Sequence, residues 1–283
     1  MRIVVTGSNG QLGTEVVELM GRSDHHEVLG LDLPDHDLTD RDHVLGVLTS
    51  FEPDAVIHGA AFTAVDLCET EVETAYRVNC LATRFIADGA RRVGAHVVYV
   101  STDYVFDGAK DSPYVEWDAP NPQSVYGRTK LGGESEIDPG WAIARTSWVC
   151  GYHGSNMVKT LLRLAEERET LSFVDDQFGH PTFAGDLAVM VAKLAVERVP
   201  GTFHTTNQGA VSWWEFAREV FSAAGHDPDR ILAIGTADLD PPRPAPRPAN
   251  SVLDDLAWRS HGFERSRDFR EPLAEVVARL QAS

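Results

Sequence analysis

An apolar run, Ile3-Val4-Val5, leads straight into GSNGQLG at 7–13 and on into a helix-like stretch at 11–21. A strand that turns through spaced glycines into a helix is a phosphate cradle at the carboxyl edge of a parallel sheet. Gly7, Gly10 and Gly13 follow a G-x-x-G-x-x-G spacing. Glycine permits the tight turn and lets backbone approach a pyrophosphate, which then rests on the helix N-terminus.

The first half repeats that unit. Apolar runs at 2–6, 27–32, 54–58, 95–101 and 141–147 alternate with helical patterns at 11–21, 40–50, 69–93 and 125–137. Alternation at this spacing predicts an α/β fold, a doubly wound parallel sheet covered by helices on both faces. Ligands in such sheets sit at the carboxyl ends of the strands. The second half changes character. Helical patterns at 155–168, 184–197 and 213–224 are separated by Leu171-Ser172-Phe173-Val174 and Thr202-Phe203-His204. DLDPPRPAPRPAN at 238–250 has neither period. It reads either as a flexible linker or as a loop that wraps across a site and offers arginines to an anion.

With 283 residues the chain can bury a full core, in one large or two unequal domains. Its net charge is −18, with 43 acidic residues against 21 arginines and 4 lysines. An acidic surface of that size repels nucleic acid and anionic membrane, so neither is an expected partner. It also repels nucleotides, so a bound one needs local arginines and helix N-termini. A high-salt cytoplasm would account for the acidity and the few lysines, and high-Arg codon bias accounts for the lysines equally well. No apolar run is long enough to span a bilayer. The N-terminus enters a strand at once, so no signal or transit peptide is expected. Cys68, Cys80 and Cys150 are odd in number and lack metal spacing, so free thiols in a reducing cytoplasm are expected.

Asp32 ends the second apolar run, 19 residues after Gly13. There a carboxylate accepts hydrogen bonds from an adenosine ribose 2′-OH, and repels a 2′-phosphate, which tilts the cofactor toward NADH over NADPH. A solvated strand-end aspartate is the plainer alternative. HGAAFTAVD at 58–66 puts Gly59, Ala60 and Ala61 where backbone can lie against a dinucleotide, and Thr63 within reach of the nicotinamide ribose.

Tyr126 and Lys130, in YGRTK at 126–130, fall on one face of a helix. Thr102, in STDYVF at 101–106, brings a hydroxyl to the end of the run Val97-Val98-Tyr99-Val100. Ketone reduction needs a hydride donor, a proton donor for the developing alkoxide, and groups that hold the carbonyl. A phenol with its usual pKa of about 10 is a poor acid–base group at neutral pH. A lysine one turn away, helped by the positive nicotinamide of the oxidised state, lowers that value. Tyr126 is therefore the expected proton donor, Lys130 its tuner and ribose ligand, and Thr102 the hydroxyl that orients the substrate oxygen.

GSNGQLG, HDLTD at 36–40, PDAVIHGAAFTAVDLCE at 53–69, STDYVFDG at 101–108 and YGRTKLGGE at 126–134 continue into a second group of strings. These are RTSWVCG at 145–151, DDQFGHPTFAGDLA at 175–188, VSWWEFA at 211–217 and RPANSVLD at 247–254. In them the chain resembles the extended short-chain dehydrogenase/reductases, and most closely those that complete dTDP-L-rhamnose synthesis. The resemblance implies NAD(P)H-dependent reduction of the 4-keto group of dTDP-4-dehydro-L-rhamnose, a small-molecule nucleotide sugar, by a cytoplasmic monomer or homodimer. It implies a Rossmann-type dinucleotide-binding domain over 1–147, completed by about 178–205. A smaller, mainly C-terminal substrate-binding domain would take 148–177 and 206–283.

The same resemblance carries over Thr102, Tyr126 and Lys130 as the catalytic set. It adds Asn9, Gln11, Leu12, Asp37 and Leu38 to the cofactor residues named above. It places Asp103, Tyr104 and Trp148 near the sugar or nucleotide, and Asn156, Arg247, Asn250 and Ser251 near the nucleotide end. Arginines on a loop suit a diphosphate on chemical grounds as well. A bulky core role is the competing view of Trp148. The family uses NADPH, NADH or both. Mg2+ links dimers in some members, but no carboxylate cluster is visible in this sequence, so no metal ligand is assigned.

His58-Gly59, Cys150 and His180 depart from the family's usual Asn-Ala, tyrosine and serine. The rivals on this scaffold differ at the end of one strand. A 4,6-dehydratase needs a Glu where Tyr104 stands, and an epimerising reductase needs a Cys where Ser101, Thr102 and Asp103 offer none. A 4-epimerase would keep its NAD bound, and a non-catalytic regulatory subunit, like the beta subunit of methionine adenosyltransferase, would serve as a partner surface.

Overall fold

A computed structural model describes residues 1–282. Five strands of a six-stranded sheet come from the first half: β1 (Arg2–Thr6), β2 (Glu27–Leu31), β3 (Ala55–His58), β4 (His96–Thr102) and β5 (Ala142–Thr146). The sixth, Gly201–His204, pairs with β5, so the order is Gly201–His204, β5, β4, β3, β1, β2. Every neighbouring pair is parallel. The chain therefore winds outward in both directions from β1 and β3, and a crevice opens beyond their carboxyl ends.

The strands read as unbroken apolar runs because both faces are covered. Ile3 and Val5 pack with Val16, Leu187, Val191 and Phe203 on one face, under helices Gln11–Gly21 and Ala184–Val196. Val4, Val56 and Val97 pack with Val44, Leu48 and Ile86 on the other, under Arg41–Phe51 and Ala82–Val93. A separate apolar cluster joins Val158 and Leu161 to Phe216, Val220, Leu273 and Val277. These residues come from helices Met157–Glu167, Trp213–Ala223 and Arg270–Gln281.

Three expectations are corrected. The helix expected over 69–93 is interrupted: Val65–Cys68 stands apart, and Val72–Tyr76 runs through a π turn at Arg77–Leu81 into Ala82–Val93. The π turn aims the buried Asn79 at its partners across the site, a need that apolar periodicity does not record. The helix expected over 125–137 stops at Glu134 and continues in tight turns, with Glu136 N donating to Gly133 O. The stretch 238–250 is no flexible linker, because the backbone N–H of the buried Ala245 donates to Asp66 at 3.1 Å and Asn250 Nδ2 donates to the Lys110 carbonyl at 2.6 Å. It forms a strap across one end of the sheet. Among the described residues no helix is long and apolar enough to cross a membrane.

Candidate active site

A cleft of about 590 Å³ opens along the carboxyl ends of β1, β3, β4 and β5, within the range of ligand pockets. Its floor begins at the glycine cradle. Gly13 starts so close to the first turn that a Cβ on it would lie 2.0 Å from the Gly7 carbonyl oxygen, so only glycine lets the helix approach. Gly7, Gly10, Gln11, Leu12 and Gly13 line the cleft, as do Ala60, Ala61 and Thr63 from beyond β3. At the β2 side Asp32, Asp37 and Leu38 line it too. Asp32 follows its strand, and its carboxylate accepts the Asn9 and Leu33 backbone N–H groups, each at 2.8 Å. Asn9 itself does not line the cleft, and its backbone N–H meets the Asp32 carboxylate. Backbone and side-chain bonds from Thr39 hold the Asp37 carboxyl below the usual range.

Helix Val125–Glu134 carries Tyr126 and Lys130 and is capped by Ser124, whose Oγ accepts the Gly127 N–H at 3.1 Å. A Cβ on Gly133 would lie 2.2 Å from the Tyr99 hydroxyl, so glycine there lets this helix press against β4. Thr102, Tyr126 and Lys130 are all buried and all line the cleft. Their electrostatics differ from the sequence expectation. Burial raises the Tyr126 phenol above its ordinary value, the nearby Asp103 charge raises it further, and the Thr102 hydroxyl is the group that pulls it down. The Lys130 Nζ instead donates to the Val100 carbonyl at 2.7 Å and sits 4.1 Å from the Tyr99 ring centre. Burial brings its own pKa down to about 7. Asp103 is pushed up to about 6, chiefly by burial.

Beside the triplet, Asp103, Tyr104 and Trp148 also line the cleft. Tyr104 meets Tyr126 edge to face, with ring centres 5.5 Å apart. Trp148 adopts φ 45°, a left-handed backbone that a bulky residue takes only when its surroundings compel it. Its indole stacks on Trp213 at 3.7 Å between centres. The strap departs from expectation. Arg247 does not line the cleft, and its guanidinium grips both Asp66 oxygens at 2.8 Å. Asn250 is tied to the Lys110 and Ser112 carbonyls. Ser251 donates to the Phe178 carbonyl at 3.1 Å and reaches Asp103. Asn156 caps helix Met157–Glu167 and bonds Gln11 Oε1 at 3.1 Å, so it touches the cradle rather than the open cleft.

Some residues here carry no motif. Asn79 Nδ2 donates to Thr129 Oγ1 at 3.0 Å and to the Phe62 carbonyl at 3.2 Å, tying the Tyr126 helix to the loop after β3. Trp213 and Thr146 line the cleft from distant parts of the sequence. His58 sits between the Thr6 and Thr83 hydroxyls at 2.6 and 3.1 Å, and burial drops its pKa to about 3. Folding also assembles Glu15, Glu18 and His153, whose ligand atoms lie within 4.8 Å of one another. Mg2+ prefers oxygen ligands, so the imidazole makes this group a better match for a transition metal than for Mg2+.

The model of the RmlD substrate binding domain matches residues 1–282. A dTDP-4-dehydrorhamnose reductase of Aggregatibacter actinomycetemcomitans is 40% identical over 267 residues, covering 89% of this chain and 90% of that protein. A solved dTDP-4-dehydrorhamnose reductase from Clostridium acetobutylicum superposes with TM-score 0.94 at 40% identity, over 99% of this chain and 100% of that one. Another, from Bacillus anthracis in complex with NADP, gives TM-score 0.93 at 36% identity, over 98% and 99%. Matched along nearly its whole length, the chain belongs to the RmlD substrate-binding-domain family.

Proposed function

We propose that this chain reduces the 4-keto group of dTDP-4-dehydro-L-rhamnose to give dTDP-L-rhamnose, using NADPH or NADH. The observation that carries this reading is that Thr102, Tyr126 and Lys130 open onto the same cleft as the glycine cradle. When bound, the reduced dinucleotide supplies a hydride to the sugar C4. Tyr126 gives its phenolic proton to the C4 oxygen as charge develops there. Thr102 holds that oxygen beside the phenol, and Lys130 sits one turn away on the same helix to bind the nicotinamide ribose. Asp103, Tyr104 and Trp148 flank the sugar, and Arg247, Asn250 and Ser251 border the nucleotide.

On this reading residues 1–147 with 178–205 bind the dinucleotide, and 148–177 with 206–283 bind the sugar nucleotide, in a cytoplasmic monomer or homodimer. NADPH use is supported by the relative solved with NADP. Asp32 has both oxygens engaged by backbone N–H groups, which softens its repulsion of a 2′-phosphate. Incubation with dTDP-4-dehydro-L-rhamnose and either dinucleotide tests the proposal. One equivalent of cofactor should be oxidised per sugar, with dTDP-L-rhamnose as product. No oxidation with either cofactor would contradict it, and tightly bound nicotinamide in the purified protein would point to an epimerase.

A further inference from the structure

Buried polar atoms nearly always find a partner, so an unpaired one inside a cleft points to what the cleft binds. Thr146 closes β5, is 5% exposed and lines the same cleft as Tyr126 and Lys130. Its Oγ1 is buried with no hydrogen-bond partner among the described residues. Its neighbours are committed. Thr102, directly opposite on β4, donates to Asp103 Oδ1 at 2.9 Å, and Ser147 donates to the His180 carbonyl at 2.7 Å. Of these three adjacent hydroxyls, Thr146 alone has no partner within the described residues.

Position in the sheet selects which ligand atom. The cradle lies at β1, and Asp32 and Asp37 mark the adenosine side toward β2. A dinucleotide laid across β1 puts its other half over β3, β4 and β5, where Val100 and Val149 offer apolar walls to a flat ring. Tyr104 and Trp148, proposed above to flank the sugar, lie beyond the ends of their strands, whereas Thr146 is the last residue of β5 itself. The carboxamide is the polar group that a nicotinamide ring carries, and it both donates and accepts, as a hydroxyl does. Resting on the function proposed above, we infer that the Thr146 hydroxyl binds the nicotinamide carboxamide and so fixes which face of the ring meets the sugar.

Thr146→Val keeps the β-branched shape and removes only the hydroxyl. The ligand-free variant should melt at a higher temperature than wild type, because an unpaired buried hydroxyl has gone. Its affinity for NADH and NADPH, read from quenching of tryptophan fluorescence, should fall about five- to tenfold, and Thr146→Ser should recover most of the loss. The KM for the sugar should stay unchanged. With the reduced 3-acetylpyridine analogue, where a methyl ketone replaces the amide, wild type and Thr146→Val should differ less. Should the valine variant fail to fold, Thr146→Cys carries the same comparison. Unchanged dinucleotide affinity would overturn the inference, and a raised sugar KM alone would assign the hydroxyl to the sugar instead. A wild-type protein that binds dinucleotide yet leaves the 4-keto sugar unreduced would sink the proposed function without touching this assignment.

Discussion

Tyr126 shows how burial and catalysis pull against each other at a single residue. Burial and the Asp103 carboxylate raise its phenol, which keeps the proton on oxygen until an alkoxide arrives to take it. Lys130, pulled down to about 7 by burial, holds its charge weakly until an anion or a ribose joins it. Spacing within one helix made both residues legible, and the glycine cradle was legible for the same local reason. Their pKa values were not, because desolvation depends on what the fold stacks around them. Asn79, Thr146 and Trp213 gave no local signal either, since each reaches the cleft only through tertiary contacts. Arg247 carries chemistry that suits a diphosphate, and folding pairs it with Asp66 of the helix Val65–Cys68, a contact that no local spacing announces.

Among elements, the helix Val125–Glu134 is the one that must not move. Glu134 at its end pairs with Arg145 of β5 at 2.7 Å, both side chains 6% exposed, and also accepts the Ser101 hydroxyl at 2.6 Å. Arg145 donates further to the Glu116 carbonyl at 3.2 Å. Removing one partner leaves an uncompensated buried charge. Glu134→Ala should therefore cost roughly 3–5 kcal/mol in urea unfolding, while replacing both Glu134 and Arg145 with apolar residues should restore much of it. A loss below about 1 kcal/mol for the single variant would show that the pair is not what anchors the helix. Strand positions were legible because runs such as Val97-Val98-Tyr99-Val100 are apolar on both faces. The π turn at Arg77–Leu81 was not, since its apolar spacing blends into that of the flanking helix.

For the molecule as a whole, buried histidines set the response to acid. His58 and His204 are pushed down to about 3, and His96 and His180 to about 4, in each case chiefly by burial. In unfolded chain histidine titrates near 6.5. Below that value the unfolded state binds protons that the folded state refuses, so stability is lost as pH falls from about 6.5 toward 4. Asp103 and Glu116, raised by burial, act in the opposite direction. Urea midpoints measured from pH 7 to 5 should fall, and His58→Asn should flatten the decline by up to one proton, roughly 1.4 kcal/mol per pH unit. A flat profile would mean that the folded protein takes up protons over this range as readily as the unfolded chain does. The doubly wound sheet was legible from alternation alone, whereas the strap over 238–250 was not, because proline-rich chain takes its shape from what it crosses.

The central claim is that the Tyr126 phenol delivers the proton when the 4-keto sugar is reduced. Single-turnover reduction of dTDP-4-dehydro-L-rhamnose by wild type and Tyr126→Phe, with dinucleotide affinity measured alongside, tests it most directly. The phenylalanine variant should bind NADH and NADPH as wild type does and reduce the sugar about 100- to 10,000-fold more slowly. A variant that turns over at the wild-type rate would contradict the account.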